Sequence, residues 1–209
     1  MADEEKPASS PPPAGEPPKA AAPKPAAAAA GAHVPPKPPP AMAATPWESA
    51  LTESLKQAFG DRISQYSTYL GQNFIVANAE ALDSILDFLK LEADFDYLVD
   101  ITAVDYPKLE KRFELVYILY SFASNERVRV KIHVADGVKA PSVVHVHLGA
   151  NWLEREVFDM FGVEFEGHPD MRRILLPEEW TGFPLRKEYS ILQQDDRWVK
   201  ENLGIESGH

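Results

Sequence analysis

Apolar and polar positions alternate most cleanly from Arg127 to Val134, where Val128, Val130, Ile132 and Val134 fall on one side and Arg127, Arg129, Lys131 and His133 on the other. A period of two is the mark of a strand with one face on a core and the other wet or covered. Two runs rich in aromatic and β-branched residues, Phe95 to Val104 and Phe113 to Ser121, predict strands before it. Nearer the start, strands are expected at Ile63 to Leu70 and Phe74 to Ala77, with Gly71, Gln72 and Asn73 as the turn between them.

Three stretches show the helical period instead. Thr45-Pro46-Trp47-Glu48 reads as a helix start, with Thr45 as N-cap, proline at the first position and glutamate at the third. Ala50, Leu51, Leu55, Ala58 and Phe59 then carry the helix to Gly60. Asn78 is placed to cap a second helix striped by Leu82, Ile85, Leu86 and Leu89. A third is expected from Ser142, through Val146, Ala150, Leu153, Val157 and Phe161, to a stop at Gly162, with Arg155 and Asp159 as an i,i+4 pair on another face. Helices interspersed among hairpin-linked strands imply an α+β fold, one domain with a mixed or antiparallel sheet packed by helices.

Beyond Gly162 the pattern breaks. Pro169, Pro177 and Pro184 recur too often for a long helix or a central strand, so extended pieces and turns are expected. Such a segment has many backbone groups that its own secondary structure does not pair, and a second protein surface could satisfy them. Trp180, Phe183, Arg172, Arg173 and Arg186 are types enriched where protein partners bind, and the arginines are expected to reach carboxylates or carbonyls of a neighbour. The competing reading is a loop folded back on its own domain. The chain thus divides into a tail at 1–44, an α+β domain at 45–162 and an extended, partner-wrapping segment at 163–209.

Composition sharpens this division. Residues 1–46 hold 14 of the 19 prolines and 15 alanines with almost no large apolar side chain, too little to offset the entropy of ordering. The expectation is a disordered tether with polyproline II character. Its four acidic residues balance its four lysines, so the net charge of −11 belongs to the rest of the chain. That excess of acid argues against nucleic acid. With no cysteine, the chain can supply no thiolate to zinc or to an iron-sulfur cluster. No run approaches the roughly 20 apolar residues that cross a bilayer, so membrane association is expected through partners. The opening residues, acidic and without arginine before Arg62, resemble neither a secretory nor a mitochondrial address, which favours a bacterial cytoplasmic setting.

Candidate chemistry is sparse. His145 and His147 would diverge on the expected helix, which disfavours a shared metal ion. His168 beside Pro169 and Asp170 suits a turn hydrogen bond better than proton chemistry. Glu154, Glu156, Asp159, Glu164 and Glu166 lack the spacing of a general acid/base pair or a metal site, and no phosphate loop or nucleophile motif occurs. Asp105 is read as a turn cap, or as a partner for an interface arginine.

The stretch from Glu154 to Tyr189 closely resembles the signature of one family, in its Glu-Arg-Glu opening, Asp159-Met160-Phe161-Gly162, Gly167-His168-Pro169-Asp170, Arg172-Arg173-Ile174-Leu175 and Pro184-Leu185-Arg186-Lys187. That family is the C-type subunit of the proton-pumping NADH:quinone oxidoreductase, respiratory complex I; a fainter match runs upstream to about Trp47. The resemblance implies a non-catalytic member of the peripheral arm that packs against the quinone-proximal, D-type subunit, with which it is fused in some bacteria. It implies that FMN and the iron-sulfur clusters lie in other subunits, with no cofactor, metal or catalytic residue in this chain. The complex would sit at the bacterial inner membrane, this chain on the cytoplasmic side. Asp105 matches an acidic position of the family's upstream segment. The expected partner interface comprises Glu154, Arg155, Glu156, Asp159, His168 and Asp170 together with Arg172, Arg173, Trp180, Phe183, Arg186 and Lys187. Two alternatives remain: the equivalent component of a membrane-bound hydrogenase or a ferredoxin- or F420-linked oxidoreductase, and a stand-alone metal-dependent hydrolase using His168, Asp170 and the glutamates.

Overall fold

Six alternating segments pair into one mixed sheet in the computed structural model, which describes residues 43–190 and 196–204. The strands are β1 (Thr45–Pro46), β2 (Ile63–Tyr69), β3 (Gln72–Ala77), β4 (Tyr97–Asp105), β5 (Phe113–Ser121) and β6 (Glu126–Val134), in the spatial order β1-β2-β3-β6-β5-β4. Only β3 and β6 run parallel; the other neighbours are antiparallel. This is the α+β architecture that the pattern implies. The tail expected at 1–44 lies outside the described residues except for Ala43 and Ala44.

The helices cover the apolar side of this sheet. Helix α1 (Ala50–Phe59) contributes Leu55, α2 (Leu82–Leu91) contributes Leu82, Ile85, Leu86 and Leu89, and α3 (Ala150–Phe161) contributes Ala150, Val157 and Phe161. They close on Ile75, Ile101, Leu115, Leu119, Val130 and Ile132, all buried, in one continuous core. On the other side of β5 and β6, polar groups cover one another. Lys131 pairs with Glu114 at 2.8 Å and lies over the Phe74 ring, and His133 approaches Glu114 at 3.3 Å.

Local chemistry moves several expected boundaries. The first helix begins after Ser49, not Thr45: the Thr52 amide donates to Ser49 Oγ at 3.3 Å while the Ser49 amide donates to Thr52 Oγ1 at 2.9 Å. Thr45 and Pro46 pair instead with Thr68 and Ser67 at the sheet edge, where a missing N–H is tolerated. Asn78 makes no capping bond, and a 3₁₀ turn over Ala79–Ala81 leads into α2. The third helix starts eight residues later than Ser142 because the intervening backbone finds other partners. Ala140–Pro141 (β7) runs parallel to Phe165–Glu166 (β8), the Ser142 amide donates to the Glu166 carbonyl at 2.9 Å, and the Val143 amide donates to the Glu154 carboxylate at 2.7 Å. His145 and His147 therefore stand on a turn-rich loop, not a helix. In the stretch expected to be extended, α4 (Asp196–Leu203) is helical.

The β2–β3 hairpin closes through two residues, with Tyr69 opposite Gln72. Leu70 (φ 51°) and Gly71 (φ 73°) are both left-handed, the conformation that two-residue hairpins with primed turns demand. Leu70 is 63% exposed and gains little from burial. A leucine in this region costs about 1–2 kcal/mol, a penalty that asparagine largely avoids. Leu70→Asn is therefore expected to stabilise the protein by about 1 kcal/mol, measured as a raised urea midpoint at unchanged slope.

Candidate functional site

Helix α3 places Arg155 and Asp159 one turn apart, and both reach the irregular segment that follows Gly167. Asp159 has no exposed surface. Its Oδ2 accepts the consecutive amides of Ile174, Leu175 and Leu176 at 3.1, 2.8 and 2.9 Å, and its Oδ1 accepts Arg173 Nη1 at 2.7 Å. Burial alone would push this carboxyl up, but the three amides and the guanidinium outweigh it and hold it below the usual carboxylate range. Arg155 grips the same stretch from the other side, donating to the carbonyls of Arg172 and Arg173 at 2.9 Å each. The expected Arg155–Asp159 pair does not form, because each side chain is engaged with this segment.

A second buried carboxylate anchors the next part. Asp105, at the end of β4, accepts Arg112 through both oxygens at 2.7 and 2.9 Å and the Lys187 amide at 2.8 Å. The Arg112 bond lowers its pKa against the opposing effect of burial, and the Lys187 amide adds to the lowering. Arg112 also pairs with Asp136 and Glu188. Arg186 donates to the Phe161 carbonyl at 2.6 Å and to both oxygens of Asp136 at 3.2 and 3.1 Å. Both guanidinium groups lie against the Phe113 ring, at 5.1 and 5.2 Å from its centroid.

Between these anchors Phe183 closes onto α3. A Cβ at Gly162 would stand 2.5 Å from its ring, so this left-handed C-cap also clears the space that the ring occupies. Arg173 and Arg186 flank Phe183 at 5.3 and 4.9 Å. Trp180 packs on Trp198 of α4, centroids 5.6 Å apart.

The residues read as a partner interface thus divide. Arg173, Arg186, Asp159, Arg155 and Phe183 bind this chain's own backbone and side chains, which is the fold-back alternative at those positions. Glu154 is buried, and His168 is held at both ring nitrogens, with Asn151 O at 3.1 Å and the Asp170 amide at 3.0 Å. Glu156, Arg172 and Lys187 face outward; Arg172 pairs locally with half-buried Asp170. The hydrolase candidates are not brought together: Glu164 pairs with Lys139, Glu166 is exposed, and no three His, Asp or Glu side chains among the described residues are grouped to hold a metal ion. His145 lies 3.7 Å from Asp83, whereas His147 is buried, its pKa lowered by burial and by Lys90.

Sequence reasoning missed the apolar part of the outward surface. Trp152, Leu175 and Leu185 are 62%, 62% and 52% exposed on α3 and the pinned segment. Trp152 on α3, and Leu148, 81% exposed on the loop before it, both fall off the apolar stripe of Val146, Ala150, Leu153, Val157 and Phe161, a signal available in the sequence.

The family model for the respiratory-chain NADH dehydrogenase, 30 Kd subunit, matches residues 75–195. The C-type subunit of NADH-quinone oxidoreductase from Ruegeria pomeroyi is 46% identical over 138 residues, 65% of this chain and 68% of that protein. Its counterpart from Brucella ovis is 40% identical over 143 residues, 68% and 71% of the two chains. Among solved structures, a chain of the membrane-bound sulfane sulfur reductase, an archaeal respiratory membrane complex, is similar with a TM-score of 0.61 and 27% identity, over 74% of this chain and 90% of that one.

Removing the guanidinium from the Asp159 cluster leaves a buried charge short of its counterion. Arg173→Ala is expected to cost about 3 kcal/mol in urea unfolding of this chain and to open residues 172–190 to protease. Acid should act on the same bonds. Because Asp105 and Asp159 titrate below their unfolded values, their stabilisation is present above about pH 3.9 and is lost as pH falls through the lower folded values. Proteolysis of the segment should accordingly rise at acid pH before α1 and the sheet unfold.

Proposed function

This chain belongs to the respiratory-chain NADH dehydrogenase 30 Kd subunit family, a family of NADH-quinone oxidoreductase subunits, and we propose that it serves the enzyme as a non-catalytic structural component of the peripheral arm. As one subunit of the enzyme, it has other subunits of the complex as its partners. The observation that carries the structural role is the doubly anchored segment at 170–190. Arg173, Arg186 and Phe183 are committed inward, which leaves Leu175 and Leu185, beside Trp152 of α3, outward on a backbone already fixed. A partner binding such a surface does not have to order it first.

In this reading the segment docks the quinone-proximal, D-type subunit, and the exposed charges Glu156, Arg172 and Lys187 form the polar rim. FMN and the iron-sulfur clusters are carried by other subunits, since this chain has no thiolate to offer a cluster. Its contribution to moving electrons from NADH to quinone, and to the coupled proton transport, is to hold those subunits in a fixed geometry. No described helix is long and apolar enough to cross a membrane, which suits a peripheral position, here assigned to the cytoplasmic side of the bacterial inner membrane. The likeness to the sulfane sulfur reductase chain favours one second reading, the equivalent component of a related membrane complex with another electron donor. Subunits that co-purify with the native protein distinguish the two: NADH- and flavin-binding proteins for the first, a hydrogenase-type or ferredoxin-linked set for the second.

Replacing Trp152 and Leu185 together with alanine should leave the chain's own stability within about 0.5 kcal/mol for each exposed site. The same substitutions should remove more than about 2 kcal/mol from assembly, read as loss of the assembled peripheral arm on native gels. Full assembly of the double variant would reject this surface.

A further inference from the structure

Helix α3 carries two buried carboxyl groups, and they are provided for in opposite ways. Asp159 has four donors. Glu154, equally buried, has the Val143 amide at 2.7 Å on one oxygen and support from the Ser142 side chain, while its Oε2 has no partner. Two further buried polar atoms without partners belong to residues electrostatically coupled to it: Tyr117 Oη on β5 and Asp83 Oδ1 on α2. Unsatisfied buried polar atoms are rare in native proteins, and three on groups that feel one another's charge require an explanation.

No cation among the described residues supplies it. Arg155, next in sequence, turns away to the carbonyls of Arg172 and Arg173, and Lys90 donates to the Val146 carbonyl at 2.6 Å. His145 approaches Asp83 at 3.7 Å from the surface, on the oxygen that does not face inward. Buried His147 feels Lys90, Asp87 and Asp96, and burial favours its neutral form. A carboxylate in this position would be charged, without a counterion, beside a second carboxylate. A proton removes that charge.

We propose that Glu154, Tyr117 and Asp83 form an internal proton-binding site between α3, β5 and α2, with Glu154 as a neutral acid and with access to solvent beside His145. The electrostatics agree with the geometry. Burial pushes Glu154 up to about 7, with the Val143 and Ser142 bonds opposing and Asp83 adding to the rise. Burial also raises Tyr117 well above the tyrosine range, so the phenol keeps its proton. Asp83 is raised by burial, with His145 opposing and Asp87 adding. Asp83 and His145 have 42% and 60% exposed side chains, so the group coupled to Glu154 reaches solvent.

The site is coupled to the loop before α3. The carboxyl group that takes the proton also takes the Val143 amide, and Val143 in turn accepts the amides of Val146 and His147 at 3.0 and 2.9 Å. The Val143 bond favours the charged form of Glu154, so the protonation state of Glu154 changes the strength of the hydrogen bond that fixes the loop 142–149, which carries exposed Leu148 near its end. Because the folded value lies above the unfolded one, the folded chain holds this proton longer. The contribution to stability is complete below the ordinary glutamate value, shrinks as pH rises towards about 7, and stays lost above it.

The test is a carbon-13 NMR titration of glutamate side-chain carboxyls in the full chain, with thermal unfolding followed over the same pH range. One glutamate is expected to titrate near 7, to vanish in Glu154→Gln and to move in Tyr117→Phe. Wild-type stability should fall between about pH 5 and 7, and Glu154→Gln should lack that fall and melt higher than wild type at alkaline pH. If every glutamate titrates in the ordinary range, or a near-neutral one is untouched by both substitutions, the site does not exist. Should Glu154→Gln not fold, the wild-type and Tyr117→Phe titrations decide alone.

Discussion

Everything distinctive about the C-terminal half depends on the carboxylate of Asp159. A segment broken by Pro169, Pro177 and Pro184 cannot satisfy its own backbone, and no strand or long helix is open to it. Asp159 replaces that missing ladder with one acceptor for three successive amides and adds Arg173 as counterion. A buried charge is expensive unless it is fully hydrogen-bonded. Here the donors that offset it would otherwise be orphans, so the same four bonds solve two problems.

The second anchor works by charge alternation. Asp105, Arg112, Asp136 and Arg186 form a chain of opposite signs that crosses from the end of β4 to the segment, and the Phe113 ring stacks against both guanidinium groups. Lys187 joins through its amide, so its side chain remains exposed. Between the anchors, Gly162 allows Phe183 a position that any side chain there would deny. The segment is thereby fixed by its own chain, which links its internal bonds to its proposed use as a docking surface.

The two carboxyl groups of α3 show how position divides the roles of similar residues. Asp159 lies where a loop supplies donors, and it is a permanent anion. Glu154 lies where α2 and β5 supply another carboxylate and a phenol, and a proton must do what the amides do for Asp159. Sequence spacing alone distinguishes neither residue from an ordinary helical acid.

Alternation along β5 and β6, the stripe of α2 and the stop at Gly162 are local properties, and the sequence by itself determined them. Strand and helix periods are written in which neighbours are apolar, and a left-handed C-cap needs only glycine. The signature between Glu154 and Tyr189 likewise identified the family, because its motifs are contiguous. What the sequence left open were choices between partners far apart in the chain. Ser142 reads as a helix cap until Glu166 is found beside it; Thr45 reads the same way until the edge of β2 offers backbone bonds. Arg173 and Arg186 read as residues for a neighbouring protein because nothing local shows Asp159 and Asp136 within reach. Only the tertiary structure decided these, since hydrogen-bond donors and charges go to the acceptor that folding brings within about 3 Å, and sequence distance carries no information about which acceptor that is.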